Sequence, residues 1–171
     1  MRNLVLIGFM GTGKSTVGKI CADRLGYDYV DSDAVVEARA GCSVAQLFAS
    51  QGEAAFRSLE RQVLAELSGR PDVVIATGGG AVLNAENVAV LRANGRIVLL
   101  TATPECILSR VCDASTRPLL ANAPDPRSRI EALLAEREAA YRQAAHHYID
   151  TSCRTPEAVA QDVLEWYRKG K

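Results

Sequence analysis

The sequence predicts an α/β fold in which a parallel sheet lies between two layers of helices, a three-layer sandwich. Short continuous apolar runs rich in Val, Ile and Leu recur along the chain, as expected of strands covered on both faces. Helical segments separate these runs, and strand alternating with helix implies parallel pairing. The first run, moreover, ends in a glycine-rich turn that opens directly into a helix.

Asn3–Ile7 (NLVLI) predicts the first strand, and Lys14–Leu25 the first helix. Tyr29–Val30 is a short second strand, followed by a helix over Ala54–Ser68. Val73–Thr77 (VVIAT) and Ile97–Thr101 (IVLLT) are the third and fourth strands, with a helix over Ala85–Ala93 between them. Helices over Pro104–Cys112 and Arg127–Ala144 lead to a short fifth strand, His147–Asp150. The last helix starts at Pro156, with Thr155 as N-cap and proline at the first helical position. Asp113–Pro126 (DASTRPLLANAPDP) breaks this rhythm, with three prolines and no helical period. It reads as a surface loop, and a loop of that length suits an active-site lid.

The 171 residues suffice for one domain and are too few for two full ones. With 48% apolar and 23% charged residues, the composition is globular rather than disordered. Lys+Arg and Asp+Glu both total 20, so the chain lacks the cationic field that nucleic-acid or anionic-membrane binding uses. No apolar run approaches the ~20 residues that span a bilayer, and the first strand begins too early for a signal peptide to precede it. The expectation is a cytoplasmic protein with neither nucleic-acid nor membrane partners. Five scattered cysteines (Cys21, Cys42, Cys106, Cys112, Cys153) form no C-x-x-C pair and are expected to be reduced and mostly buried.

The chemistry begins at Gly8-Phe9-Met10-Gly11-Thr12-Gly13-Lys14-Ser15-Thr16, which fits G-x-x-x-x-G-K-[ST] between a strand and a helix. Its glycines let backbone N–H groups curl around nucleotide phosphates, and the helix dipole adds positive potential. Lys14 is positioned to reach the terminal phosphates and Ser15 to coordinate Mg²⁺. Asp31-Ser32-Asp33 ends the second strand. Residues two apart in extended chain point the same way, so both carboxylates can face the phosphate loop, one supporting hydrated Mg²⁺ and the other an acceptor hydroxyl. Alternatively, Asp33 caps a helix beginning at Ala34. In Gly52–Glu60 (GEAAFRSLE), Arg57 and Glu60 stand at i and i+3. Glu60 could fix Arg57 for bidentate binding of a carboxylate, or the two could form a solvated surface pair. Gly78, Gly79 and Gly80 follow the third strand and permit close approach of a ligand, or form only a tight turn. Arg117 sits in the candidate lid, where an arginine can reach transferring phosphate. Arg137 and Tyr141 share one helix face, which by itself would read as exposed, and His146 and His147 have no ligand-spaced partners.

Taken together and in this order, these motifs resemble the shikimate kinase family of small P-loop kinases, over nearly the whole chain. The resemblance implies a single P-loop kinase domain over residues 1–171, with a five-stranded parallel sheet in the order 2-3-1-4-5. It implies a substrate-binding helical region at about 34–61 and a lid at about 113–126. The implied reaction is transfer of the ATP γ-phosphoryl to the 3-hydroxyl of shikimate, on the chorismate route to aromatic amino acids. Asp33 would hold the acceptor hydroxyl and serve as base. Arg57 and Arg137 would clamp the carboxylate, with Gly78, Gly79 and Gly80 lining the ring's site. Lys14 and Arg117 would stabilise the phosphoryl group. Gly11, Thr12, Gly13, Lys14, Ser15 and Thr16 would hold the phosphates. Ser15 and, through water, Asp31 would hold Mg²⁺, and Arg110 and Arg154 would flank the adenine. The family also implies a monomer.

Two other readings remain at this stage. A related kinase acting on gluconate or another polyol would share the phosphate loop and fold. A non-catalytic nucleotide-binding module would be expected to lose Asp33, Lys14 or the arginines, and all are present.

Overall fold

The computed structural model describes residues 2–111 and 124–170. Within them, β1 (Asn3–Ile7), β2 (Asp28–Asp31), β3 (Val73–Ala76), β4 (Gly95–Thr101) and β5 (His147–Asp150) form one sheet in the order β2-β3-β1-β4-β5. Every neighbouring pair runs parallel. The helices are α1 (Lys14–Leu25), α2 (Ser32–Ala40), α3 (Val44–Gly69), α4 (Ala85–Asn94), α5 (Pro104–Arg110), α6 (Pro126–Ala144) and α7 (Pro156–Lys169).

The strand period of two sorts the core into layers. Val5 and Ile7 of β1, Val73 and Ile75 of β3, and Ile97 and Leu99 of β4 face one side, where α2, α3, α4 and α6 supply Val36, Phe56, Val63, Leu91 and Tyr141. Leu4, Leu6, Val74, Val98 and Leu100 face the other, against Val17 and Cys21 of α1 and Val159, Val163 and Tyr167 of α7. Two-sided burial explains why these strands read as unbroken apolar runs rather than alternating ones. Truncating any of their large side chains to Ala costs about 2–5 kcal/mol. A smaller cluster of Phe9, Ile107, Ile130 and Leu133 lies between the phosphate loop, α5 and α6.

The differences from expectation have local causes. α2 starts at Ser32, two residues before the helix start considered at Ala34, and α3 starts at Val44 rather than Ala54. Ser43 caps α3 in a full capping box with Gln46, a pattern present in the sequence. Gly52 breaks α3 at φ 81°, ψ 171°, a backbone conformation essentially confined to glycine. Thr77 falls just beyond the end of β3, and α5 stops at Arg110. Pro126, assigned to the lid, is the first residue of α6, with Asp125 as its N-cap. The remainder of the proposed lid up to Ala123, with Arg117 and Cys112, lies outside the described residues. Cys21 is buried, Cys42 and Cys106 are half-buried and Cys153 is exposed, so the expectation of mostly buried cysteines does not hold.

Candidate active site

In a parallel sheet the carboxyl ends of all strands lie on one side, and ligands bind there. Gly8 leaves β1 at φ 142°, and a Cβ on it would stand 2.3 Å from the Leu100 carbonyl oxygen, so only glycine fits this exit. Gly13 caps α1 in the left-handed conformation, without a side-chain bond to the first helical N–H groups. Lys14 folds back over the loop, its Nζ donating to the carbonyls of Gly8 and Phe9, each at 2.8 Å. Thr12 is buried, and its hydroxyl donates to the Phe9 carbonyl at 2.8 Å.

An open cleft of about 440 Å³ runs from this loop. Gly11 to Thr16 line it, as do Asp31, Asp33, Gly78, Gly79, Arg110 and Arg154; Arg57, Gly80 and Arg137 do not. Arg110 ties the two walls together, donating to the Thr151 carbonyl at 2.7 Å, the Thr151 hydroxyl at 2.9 Å and the Gly11 carbonyl at 3.3 Å. Arg154 is paired with Asp162 of α7 at 2.7 Å.

Asp31, not Asp33, caps α2: its Oδ1 accepts from the Asp33 N–H at 3.0 Å. Its Oδ2 accepts from the Ser15 hydroxyl at 3.2 Å and the Tyr29 hydroxyl at 3.5 Å, which joins the second strand to the phosphate loop. The pair of oxygen donors from Ser15 and Asp31 is the hard, oxygen-only type that suits Mg²⁺, which takes few protein ligands and completes its shell with water and phosphate.

With capping done by its neighbour, Asp33 is left for other work. Its Oδ1 is buried without a hydrogen-bond partner among the described residues. Burial, then the nearby charges of Asp31 and Glu60, push its carboxyl up to about 6, against the pull of Lys14. A buried carboxylate lacking a donor is costly unless a ligand supplies one.

The three glycines after β3 meet three different side chains. A Cβ on Gly78 would stand 2.5 Å from Asp33 Oδ1, and one on Gly80 would stand 2.6 Å from Arg57 Nη2. One on Gly79 would meet Arg137 Nη1 and the Tyr141 hydroxyl at an ordinary 3.7 Å. The run thus gathers one carboxylate and two guanidiniums from α2, α3 and α6 around one strip of bare backbone, beyond what a turn requires. The Tyr141 hydroxyl donates to the Gly79 carbonyl at 2.5 Å and fixes the strip in place.

Arg57 donates to Glu60 Oε2 at 2.8 Å, and Glu60 is 1% exposed, so the pair is not a solvated surface pair. Burial pulls the Arg57 guanidinium down, but Glu60 and then Glu53 outweigh it and hold it raised. Burial likewise lifts the Glu60 carboxyl despite Arg57. Arg137 and Tyr141 are buried at 6% and 4% exposure, contrary to the exposed face that their spacing alone suggested. Arg137 lies over the Phe9 ring at 5.8 Å, and no described carboxylate forms an ion pair with it. Its Nε is buried without a partner. Such a charge is stable when a ligand's anion neutralises it. Glu53, Thr77 and Thr151 also border the site and were missed. Glu53 was legible as the residue four before Arg57, whereas nothing local marks the two threonines.

Comparisons with known proteins agree with this geometry. The family model for shikimate kinase matches residues 10–168. A shikimate kinase from Caldanaerobacter subterraneus subsp. tengcongensis is 50% identical over 171 residues, covering 100% of this chain and 99% of its own length. One from Pelotomaculum thermopropionicum is 44% identical over 99% of this chain and 97% of its own length. A solved structure of the Acinetobacter baumannii shikimate kinase in complex with shikimate superposes with a TM-score of 0.95 at 37% identity, covering 100% of this chain and 95% of that one. The match extends from the phosphate loop through the glycine strip to the last helix, and the chain belongs to the shikimate kinase family.

Proposed function

We infer that the chain transfers the γ-phosphoryl group of ATP to the 3-hydroxyl of shikimate, giving shikimate 3-phosphate and ADP. The observation that carries this reading is the gathering of Asp33, Arg57 and Arg137 on Gly78–Gly80 beside the phosphate loop. Shikimate is a small anionic polyol, with one carboxylate for two guanidiniums and hydroxyls for a carboxylate and bare backbone. Family membership and near full-length identity to shikimate kinases support the same acceptor.

In this reading the phosphate-loop N–H groups and the N-terminus of α1 bind the phosphates. Lys14 leaves the Gly8 and Phe9 carbonyls to meet the transferring group. Arg57 and Arg137 hold the carboxylate so that the 3-hydroxyl lies against Asp33, whose Oδ1 accepts its hydrogen bond and takes its proton as the oxygen attacks phosphorus. The negative charge that develops in transfer is met by fixed cations, so positioning and electrostatics supply the rate. Ser15 and Asp31 would hold Mg²⁺, Asp31 through water, and the ion would supply positive charge that offsets the charge of the phosphates. Arg110 and Arg154 would flank the adenine, and Arg117 would reach the phosphoryl group from a lid that ends before Pro126, the first residue of α6. The helical region at 34–61 would bind the acceptor. A working monomer is the assembly that family membership implies. ATP as co-substrate favours the cytoplasm, and no described helix is long and apolar enough to cross a membrane.

The test is Mg²⁺-dependent ADP release in a coupled assay with shikimate, gluconate or no acceptor, with and without EDTA. Stimulation by shikimate alone, abolished by EDTA, is the expected result. Stimulation by gluconate instead would transfer the site to another acid, and slow release indifferent to either would remove the kinase reading.

A further inference from the structure

Arg57 is engaged by two carboxylates of opposite character. Glu60 Oε2 takes Nη1 at 2.8 Å from a side chain that is 1% exposed, so this partner is permanent. Glu53 stands one turn earlier, its side chain 64% exposed, and presents a single oxygen, Oε1, to both Nε and Nη2 at 3.2 Å. The Nε–Nη2 edge is one to which a carboxylate binds best with two parallel short bonds. Glu53 occupies it with one oxygen and two long bonds, which a two-oxygen ligand improves on.

The chain at Glu53 is built to release it. Gly52, immediately before, breaks α3 at φ 81°, ψ 171°, and a Cβ there would touch nothing within 4 Å. The glycine is required by its backbone angles and not by crowding, and the helix resumes at Glu53. A carboxylate at the start of a helical segment is favoured by the dipole even when unpaired, and solvent receives it on release. Charge favours release as well. Glu53 and Glu60 place two negative charges on one guanidinium, while Asp33 adds a third to the same site. The enclosed Glu60 already matches the charge of Arg57, so an incoming acid gains most from this guanidinium once Glu53 withdraws.

We propose that Glu53 is an internal competitor for Arg57, occupying the guanidinium edge in the free protein and giving way to the substrate's carboxylate. The proposal rests on the reading of the acceptor as shikimate. Glu53 thereby sets the affinity for the acid, because its displacement offsets part of the binding energy.

The experiment is steady-state kinetics of wild type and Glu53→Gln with shikimate and with its methyl ester, which carries no carboxylate charge. Glu53→Gln keeps the shape and removes the charge. It is expected to lower the KM for shikimate about two- to fivefold, the size of one exposed ion pair. The KM for ATP should not follow, the KM for the methyl ester should not improve, and titration calorimetry of shikimate should tighten by the same factor. A KM for shikimate that stays the same or rises, in a variant with the wild-type circular dichroism spectrum, would make Glu53 a bystander or a support and overturn the proposal alone. Equal improvement for acid and ester would also overturn it. Wild-type turnover indifferent to shikimate would instead overturn the reading of the acceptor, and this proposal with it.

Discussion

Asp33 is ionised at neutral pH against the preference of its surroundings. With its carboxyl raised to about 6 from 3.8, mainly by burial, the folded protein favours the protonated form. The linkage sign follows. This group's contribution to stability is fully present below pH 3.8 and is lost as the pH rises through about 6. At pH 7 the ionised carboxylate therefore costs up to about 3 kcal/mol, since one pKa unit corresponds to about 1.4 kcal/mol. Asp33→Asn removes the charge without changing the shape. It should raise the melting temperature of the ligand-free protein by up to about 6–12 °C, at roughly 2–4 °C per kcal/mol, while lowering kcat by at least about a hundredfold. Calorimetry and the coupled assay on the same preparation check both halves, and a variant that melts lower would mean that Asp33 supports the fold. In the wild type, kcat/KM for shikimate should fall about tenfold per pH unit below about 6 as the base is protonated, and a flat profile down to pH 5 would exclude Asp33 as the group that must be ionised.

The glycine strip after β3 allows the same test at the level of an element, because three adjacent Gly→Ala changes meet three different neighbours. A methyl at Gly78 would lie 2.5 Å from Asp33 Oδ1, one at Gly80 2.6 Å from Arg57 Nη2, and one at Gly79 no closer than 3.7 Å to Arg137 Nη1. Gly78→Ala should therefore displace Asp33, the proposed base, and lower kcat more than it changes KM. Gly80→Ala should displace the clamp and raise the KM for shikimate about tenfold or more. Gly79→Ala should do least. Kinetics on the three variants checks the order, and equal damage at all three would make the strip a turn and nothing more. How much was legible in the sequence follows the range of the interactions involved. β1, α1 and β5 were read to the residue because period and capping are local. The start of α2 was legible only to within two residues, because it begins at the very end of β2 with no loop between them, and the first part of α3 was not, because Gly52 interrupts its pattern. The phosphate loop was legible as a contiguous motif. The burial of Arg137 and Tyr141 was not, since it depends on α6 packing under the glycine strip, and no spacing within α6 records that contact.

At the scale of the whole molecule, the sheet separates the elements proposed to hold the two substrates. α1, which follows the phosphate loop, packs with α7 on one face of the sheet, whereas Arg57 and Arg137 come from α3 and α6, on the other. The two binding regions meet at the carboxyl ends of the strands, so acceptor and nucleotide binding should be separable by mutation. Each ligand binds the folded state and stabilises it by RT ln(1 + [L]/Kd), about 2.7 kcal/mol at a hundred times Kd. At roughly 2–4 °C per kcal/mol, that gives an upward melting shift of about 5–10 °C for shikimate and for MgATP separately. Arg57→Ala alone would strand the buried Glu60 carboxylate and destabilise the protein for reasons unrelated to binding. Arg57→Ala with Glu60→Gln removes both charges of the pair and keeps the comparison to ligand binding. In that double variant the shikimate shift should vanish while the MgATP shift stays within about 2 °C of wild type, as measured by differential scanning calorimetry. Loss of both shifts would mean that the clamp on α3 also shapes the phosphate loop across the sheet. Retention of both would move the carboxylate site away from Arg57 and leave Arg137, already buried without an anionic partner among the described residues, as the group that holds the acid.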